Sequence, residues 1–512
     1  MNTQNTGTAS RREGLFLAVI VIAAAALRLY DLGTKDFWFD EALSLLKGLL
    51  SIPNILNDSL SQIAPDPHPL LYPLFMKAWL RLGRDEAMVR LPSVVAGAAS
   101  VYVLFLLARS LFGSRAGLYA SALAAISPFL VAYSQEARNY SFHLLFSLLS
   151  LYCFWRFCEA EEKREERVWS VLYGFSTLLN MNSHYYSFFL ILFENLFFFL
   201  YYRQNTEKVK RWLTIQALLL LWAFAMLPLL LHQRALVVSG GIADWMPALT
   251  LPHLATLFVN WNFTVLQLHN NLLYPWINRE WCAPFILLII IVGVIQALRR
   301  GKKGAFVIAW FAIPFSIAIV MSLSRSMLVD RYFISIIPAL ILLASLALSS
   351  LKPSSLQASV FGLILLVYGL SLAQYYGKYT EPGYKNYFLQ SMKGIKDFRG
   401  IRGYLDSRLE AQDTVLIDDN FVFMPLLYYC TPARAQLHML SFPEEIPRYC
   451  SSPRIFLVHS VPMKTQIPSK EAGEAAPEVL ERLSEYGRLE EKAEFKGLDI
   501  FIYRKKPIPS QR

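Results

Sequence analysis

Five stretches of the chain carry acids, bases and hydrogen-bonding aromatics at close spacing. Asp40 and Glu41 are adjacent in the run Phe37-Trp38-Phe39-Asp40-Glu41-Ala42. Asp66 and His68 alternate with prolines, and Tyr72 follows. Glu136 and Arg138 flank Ala137 in the run from Gln135 to Tyr140. His184, Tyr185 and Tyr186 are consecutive, as are Arg331 and Tyr332. Side chains of these types suit transfer of a group from a phosphate to a hydroxyl. A carboxylate takes the proton of an attacking hydroxyl. Arginine holds a phosphate through two parallel bonds. Cations beside a leaving phosphate act as negative charge develops there in the transition state. Each stretch also has a plainer reading. Asp40 is a favoured helix N-cap and Glu41 suits a helix N-terminus. Glu136 and Arg138 can pair in a loop, His184 with its tyrosines can lie in an interfacial aromatic belt, and Arg331 can anchor a helix end. Glu194, in the middle of an aromatic helix, is a functional suspect by position or pairs inside the bundle. Arg28 is read as snorkelling from the outer end of the first span. The joint distribution of the five stretches separates the two readings, and it depends on the elements that carry them.

The chain has 512 residues, 55% of them hydrophobic and 17% charged, with a mean hydropathy of +0.37. A soluble globular chain carries about 25% charged residues. A disordered chain, a coiled coil and an ordinary soluble enzyme are therefore excluded. A polytopic α-helical membrane protein fits. A bilayer core takes about 17–25 apolar residues per helix. Eleven segments qualify: 14–30, 91–108, 116–133, 140–157, 168–182, 186–202, 212–231, 284–298, 304–323, 333–351 and 355–373, with twelve or thirteen spans as the upper count. The first follows Arg11 and Arg12 and is read as a retained anchor rather than a signal peptide. The net charge of +11 reflects lysine and arginine in membrane loops. No basic patch has groove-reading geometry, so no nucleic-acid partner is expected.

Basic residues assign the sides. Arg109 and Arg115, then Lys163, Arg164 and Arg167, then Arg203, Lys208, Lys210 and Arg211, then Arg299, Arg300, Lys302 and Lys303 all follow even-numbered spans. The N-terminus is then cytoplasmic, and an odd span count puts the C-terminal tail outside the cytoplasm. All five reactive stretches fall on that outer side. In the first outer loop, Asp40–Leu56 reads as an amphipathic helix on the membrane surface and Leu70–Leu82 as another. Residues 1–373 form the expected membrane domain, with outward loop helices at about 40–82, and 374–512 an exterior α/β domain. In that tail Thr414–Asp418, Ala435–Leu440, Arg454–His459 and Leu498–Arg504 read as strands, and Ser391–Leu409 and Ala476–Tyr486 as helices. No glycine-rich phosphate loop follows any strand. The five cysteines show no zinc-finger spacing, and Cys430 and Cys450 can pair if the tail is outside.

These residues bring a family into view. The run Arg28-Leu29-Tyr30, then Phe37 to Ala42, resembles the first-loop signature of GT-C membrane glycosyltransferases. The branch it is most similar to is that of protein O-mannosyltransferases and lipid A aminoarabinose transferases. His68-Pro69-Leu70-Leu71-Tyr72, Arg90-Leu91-Pro92-Ser93 and Ser127-Pro128 with Tyr133 to Tyr140 resemble the family's next segments in order, and His184-Tyr185-Tyr186 and Arg331-Tyr332 are similar too. The likeness is specific over about 28–200 and mainly topological beyond.

The resemblance implies transfer of a sugar from a polyprenyl phosphate donor to a hydroxyl acceptor (protein, lipid or glycan) at the outer face of the cytoplasmic membrane, with inversion at the anomeric carbon. It implies Asp40 as general base with Glu41 as its neighbour or an acceptor orienter. It implies Glu136 as a second acid, which in some members approaches a divalent cation, so a cation stays open and no other cofactor is expected. Arg138 and Arg331, with His68, Tyr72 and Tyr332, are the candidates for the donor phosphate. Tyr140, His184 and Tyr185 are candidates for the acceptor or the cavity. His68 stands where aminoarabinose transferases place a lysine, which argues against aminoarabinose and leaves mannose, arabinose, galactose and glucose open. A retaining mechanism would need a second carboxylate as nucleophile, for which Glu41 stays open. The competing class is a transporter or lipid-glycan flippase. Such proteins place their sites near the midplane, often within repeats, and no repeat is visible here. A non-catalytic assembly subunit is the third reading.

Overall fold

The computed structural model describes residues 3–62, 66–239, 246–263, 279–376, 396–430, 436–440, 442–460 and 475–506. In chain order its first helices are α1 (Thr3–Leu29), α2 (Phe39–Leu49), α3 (Ile52–Leu56), α4 (Leu71–Trp79), α5 (Glu86–Phe112), α6 (Ser114–Ile126), α7 (Pro128–Ser134) and α8 (Tyr140–Glu159). There follow α9 (Lys163–Met181), α10 (Ser187–Tyr202), α11 (Thr206–Ser239), α12 (Leu251–Phe263), α13 (Arg279–Leu298), α14 (Lys302–Ser322), α15 (Ile337–Ser350) and α16 (Ser354–Tyr375). The C-terminal part adds α17 (Phe398–Arg408), β1 (Thr414–Ile417), α18 (Asn420–Tyr429), β2 (Leu437–Met439), β3 (Arg454–Ser460), α19 (Ala475–Tyr486), β4 (Gly487–Phe495) and β5 (Leu498–Lys505). Two compact units result. One holds Met1–Leu32, Leu50–Arg84 and Met88–Tyr379; the other holds Gly33–Leu49, Asp85–Ala87 and Thr380–Arg512.

The first unit is helical. Among the described residues five helices are long and apolar enough to cross a membrane: α5, α8, Thr206–Leu236 within α11, α14 and α16. α6 and α7 make a sixth span if taken together, bent by 58°. α10, Cys282–Leu298 and α15 are apolar but shorter. Length and composition thus single out five or six spans where the hydrophobic pattern suggests eleven. The difference has a physical origin. One apolar segment is broken between α6 and α7, α10 and α15 have only 16 and 14 residues, and α9 opens on Glu165 and Glu166, so an apolar run is not always a helix long and apolar enough to span.

The break between α6 and α7 shows how a cut is stabilised. Pro128 has no N–H to give the carbonyl of Ala124, and the bend at Ser127 separates the next pair as well. Arg28 supplies both missing donors: its guanidinium bonds the carbonyls of Ala124 at 3.2 Å and Ala125 at 3.0 Å, and its Nε bonds the Ser134 hydroxyl at 3.1 Å. Arg28 is fully buried, so the snorkelling expectation is overturned. The side chain is drawn inward because unsatisfied carbonyls in an apolar setting cost more than a solvated arginine gains at the surface. Gly97 of α5 makes the approach feasible, since a Cβ there would lie 2.1 Å from Ser134 Oγ.

The second unit is mixed. Its five-stranded sheet has the order β2-β1-β3-β5-β4, with β1 parallel to β2 and β3, and β5 antiparallel to β3 and β4. Strands β1 and β3 are near-continuous apolar runs, as a sheet covered on both faces requires. Leu416, Ile455, Leu457, Val479, Leu483 and Tyr503 build its core with Leu440 and Ile446. The strand and helix expectations for the tail fall on β1, β2, β3, β5, α17 and α19, apart from residues 391–395 and 435, which lie outside the described residues. β4 and α18 are additions. Cys430 and Cys450, whose pairing the sequence leaves open, are both free thiols; Cys450 Sγ donates to the Ile446 carbonyl at 3.4 Å.

The segment that carries Asp40 belongs to this second unit. Phe37 stacks on Tyr429 with ring centroids 6.0 Å apart, and Phe39 packs against Phe421 at 5.1 Å. The Phe37 N–H donates to the Tyr429 hydroxyl at 2.9 Å, which donates onward to Glu86 at 2.7 Å. Asp36 accepts from the Arg399 backbone N–H at 3.0 Å and pairs with its guanidinium. The expected single helix over Asp40–Leu56 is two helices. Ser51 breaks the run, accepting from Asn54 N–H at 3.4 Å as the N-cap of α3, with Pro53 in its first turn.

Candidate functional site

The turn from Gln135 to Asn139 links α7 to α8, and every residue in it is buried. Local bonds fix it from several sides. The Gln135 amide donates to the carbonyls of Arg28 at 2.9 Å and Tyr30 at 2.6 Å. The Ser93 hydroxyl donates to the Arg138 carbonyl at 3.3 Å, and the Asn139 amide to the Ser183 carbonyl at 2.6 Å. Loops that are distant in sequence therefore meet at one place because α1, α5 and the α9–α10 turn all hold this one.

From that turn Arg138 reaches Asp66. Its guanidinium donates to both carboxylate oxygens, at 2.8 and 3.3 Å, and is 3% exposed. Asp66 also lies 2.7 Å from His68 Nδ1. The His68 ring is edge-on to His184 at 5.3 Å, to Tyr140 at 6.2 Å and to Tyr332 at 6.2 Å. Arg331 Nε donates to the Tyr140 hydroxyl at 2.9 Å. Asp330 accepts from the Arg331 N–H at 2.7 Å and from the Asn260 amide at 3.2 Å. Burial raises the Asp330 carboxyl above its usual range, against the opposing pull of Arg331. Burial holds His184 well below the usual histidine range, and the charges of His143, His68, Arg138 and Arg331 act in the same direction. The imidazole is thus neutral beside two guanidinium groups. Two arginines and an array of ring hydroxyls and imidazoles, with Arg138, Tyr140 and His184 buried and His68, Arg331 and Tyr332 half-buried, suit an anionic ligand with hydroxyl groups.

The structure brings His68, Arg138, Tyr140, His184, Arg331 and Tyr332 into this cluster, with Glu136, 2% exposed, in the same turn. Tyr185 stands behind it: its hydroxyl donates to Gln233 at 2.8 Å, and the Gln233 amide donates to Asp58 at 2.7 Å and to the His68 carbonyl at 3.1 Å. Tyr72 is buried in α4 with its ring edge-on to Phe142 at 5.5 Å. Asp40 and Glu41 open α2 in the other unit; Asp40 is half-buried and Glu41 wholly buried. Glu194 accepts from Tyr173 at 2.8 Å and Ser150 at 3.0 Å, so it bonds inside the bundle. Among the described residues no three His, Cys, Asp or Glu side chains gather as metal ligands. His143, Asn180 and Asp330 are parts of the site that the sequence reading passed over. His143 is one polar residue in an apolar helix, and only the fold shows its ring against His184.

Comparison with known proteins places this architecture. A sequence model of the dolichyl-phosphate-mannose-protein mannosyltransferase family matches residues 67–232. Among solved structures, ArnT from Cupriavidus metallidurans in the apo state aligns over 97% of this chain and 98% of its own, at a TM-score of 0.61 and 12% identity. The chain has the GT-C fold. The same ArnT bound to undecaprenyl phosphate aligns over 95% of this chain and 97% of its own, at a TM-score of 0.58 and 12% identity. The Archaeoglobus fulgidus oligosaccharyltransferase in the apo form aligns over 93% of this chain and 72% of its own, at 0.55 and 12%. No curated protein sequence matches the chain. With its apolar helices and this fold, the chain is a multi-pass membrane protein.

Proposed function

We propose that this GT-C protein transfers a sugar from a polyprenyl phosphate donor to a hydroxyl acceptor at the outer face of the cytoplasmic membrane, with its N-terminus cytoplasmic and its α/β unit outside. The observation that carries the reading is the buried Arg138–Asp66–His68 constellation beside Arg331 and Tyr140, in a fold shared with an ArnT that binds undecaprenyl phosphate. Arg138 and Arg331, helped by His68 and Tyr332, bind the carrier phosphate and stabilise it as it leaves. Asp40 takes the proton of the acceptor hydroxyl as that oxygen attacks the sugar C1. A single displacement of this kind inverts the anomeric centre. Glu41 and Glu136 orient the acceptor and the turn, while Tyr140, His184 and Tyr185 line the sugar or acceptor side. Base catalysis is worth roughly 10²–10⁴-fold.

The test is transfer of radiolabelled sugar from a polyprenyl phosphate donor in proteoliposomes. Asp40→Asn is expected to lose about 10²-fold or more in turnover while donor binding persists. Full activity of that variant removes Asp40 as base. Arg331→Ala is expected to raise the apparent KM for the lipid donor by about tenfold or more. An unchanged KM takes Arg331 out of the phosphate site. Movement of the labelled lipid across the bilayer with no sugar transferred would favour a flippase instead.

A further inference from the structure

His143 and His184 lie face to face beside the arginine cluster, their ring centroids 4.9 Å apart and their planes 22° from parallel. Both are buried, at 0% and 4% exposure. Their outer bonds fix which nitrogen carries hydrogen. His143 Nδ1 lies 2.7 Å from Asn180 Oδ1, an oxygen that can only accept, so Nδ1 holds the hydrogen and donates. That leaves His143 Nε2 as a bare acceptor. At His184 the Tyr186 backbone N–H donates to Nδ1 at 3.2 Å, so Nδ1 is the acceptor and a neutral ring carries its hydrogen on Nε2. The two Nε2 atoms are therefore opposite in kind, one acceptor and one donor. Neither has a hydrogen-bond partner among the described residues. Two buried polar atoms left in this state cost stability unless a ligand completes them.

One group satisfies an acceptor and a donor together: a hydroxyl, which gives its hydrogen to one nitrogen and takes one from the other. A single oxygen making two bonds of about 2.9 Å spans up to roughly 5.8 Å, more than the 4.9 Å between the ring centroids. Phosphate oxygens are poor candidates, because an ionised phosphate has no hydrogen to give His143. Methyl or methylene groups would leave both nitrogens bare. The rings of His68, Tyr332 and Tyr186 surround His184 at 5.3, 5.2 and 5.3 Å, an aromatic lining of the kind that sugars pack against. We infer that the His143–His184 pair reads one hydroxyl of the transferred sugar and so sets which sugar the protein accepts. This rests on the donor reading above, and it places a specificity determinant on a histidine outside every motif quoted for the family. The same hydrogen-bonding chemistry could be met by a trapped water, which the experiment separates.

The full-length protein in detergent is titrated with polyprenyl phosphates carrying mannose, glucose, galactose or arabinose, with the monodeoxy forms of the tightest binder, and with bare polyprenyl phosphate. One monodeoxy form is expected to bind the wild type at least about tenfold more weakly than its parent, because its loss leaves both nitrogens unpaired. In His184→Phe and His143→Phe that one penalty falls to within about threefold, while the affinity for bare polyprenyl phosphate holds within about threefold. The Gln variants, which keep a donor or acceptor at the reach of Nε2, retain the discrimination. The proposal is overturned if no monodeoxy form is weakened in the wild type, a result that needs no variant. It is equally overturned if the penalties are identical in wild type and Phe variants, as a trapped water predicts, or if no sugar binds better than the bare carrier. Sugar-selective binding without any transfer in proteoliposomes would defeat the transferase reading and leave the hydroxyl subsite standing. Transfer with an unaltered deoxy profile would do the reverse.

Discussion

Arg138 meets Asp66 in a bidentate pair with the Arg138 side chain 4% exposed, so its geometry is set before any ligand arrives. A guanidinium held in this way is oriented and its charge is partly desolvated already. The α/β unit has a comparable pair with a measurable consequence. His459 Nδ1 lies 2.5 Å from Asp418. Burial disfavours the charged imidazole, but the Asp418 hydrogen bond and the charges of Asp418, Asp499 and Asp419 outweigh it, and the pKa is raised. An unfolded histidine titrates near about 6.5. With the folded value higher, the added stability is complete below about pH 6.5 and is lost as pH rises through the folded value. The melting temperature of the full chain is expected to fall between pH 6 and pH 9, and His459→Gln should flatten that part of the fall. Equal slopes in the two proteins would show that the ion pair is not linked to folding. The reactive residue types were legible in the sequence because each stretch is dense in them. His143 was not, because an isolated histidine in an apolar helix has no local signature.

At the scale of elements, the bent pair α6–α7 aims the Gln135–Asn139 turn, and Arg28 is what makes the bend stable. Its guanidinium caps Ala124 and Ala125, while its own carbonyl accepts from Gln135. Arg28→Met would leave two buried carbonyls and the Ser134 hydroxyl without that donor. The hydroxyl keeps its bond to the Leu130 carbonyl, so the two carbonyls, at about 1–3 kcal/mol each, set an expected loss of roughly 2–6 kcal/mol in stability. Arg28→Lys, with one ammonium in place of the fork, should recover only part of it. Thermal unfolding of the purified variants measures both; a Met variant within about 1 kcal/mol of wild type would show that the carbonyls find other donors. The hydrophobic pattern reads 116–133 as one span across Pro128, and it gives no indication that Arg28, 96 positions before Ala124, stabilises a break there. Strand β4 escaped notice for a related reason. Its charged residues, Arg488, Glu490, Glu491, Lys492 and Glu494, suit an edge strand that borders solvent, and they mask the alternation that marks half-buried strands.

The whole chain is not partitioned where its composition changes. Composition shifts near residue 374, but residues 33–49 and 85–87 group with the C-terminal residues. Hydropathy reports only how apolar each stretch is, whereas the grouping depends on aromatic and ionic complementarity between stretches nearly 400 residues apart, as in the bond from Phe37 to Tyr429. The consequence bears on turnover. Tyr429 accepts from Phe37, donates to Glu86 and stacks on both Phe37 and Phe398, so it fixes the peptide that enters α2 three residues before Asp40. Tyr429→Phe keeps the ring and removes both bonds. If Asp40 is the base, small misplacement of its helix should lower kcat by about tenfold or more, because proton transfer needs hydrogen-bond reach. The KM for the lipid donor should stay within about threefold, because Arg138 and Arg331 are anchored by other contacts. Turnover and KM measured with a saturating acceptor in proteoliposomes distinguish this from general unfolding, which would reduce the active fraction without altering the pH profile of the remainder. A Tyr429→Phe enzyme with wild-type kcat would show that the C-terminal residues do not position the Asp40 segment for catalysis.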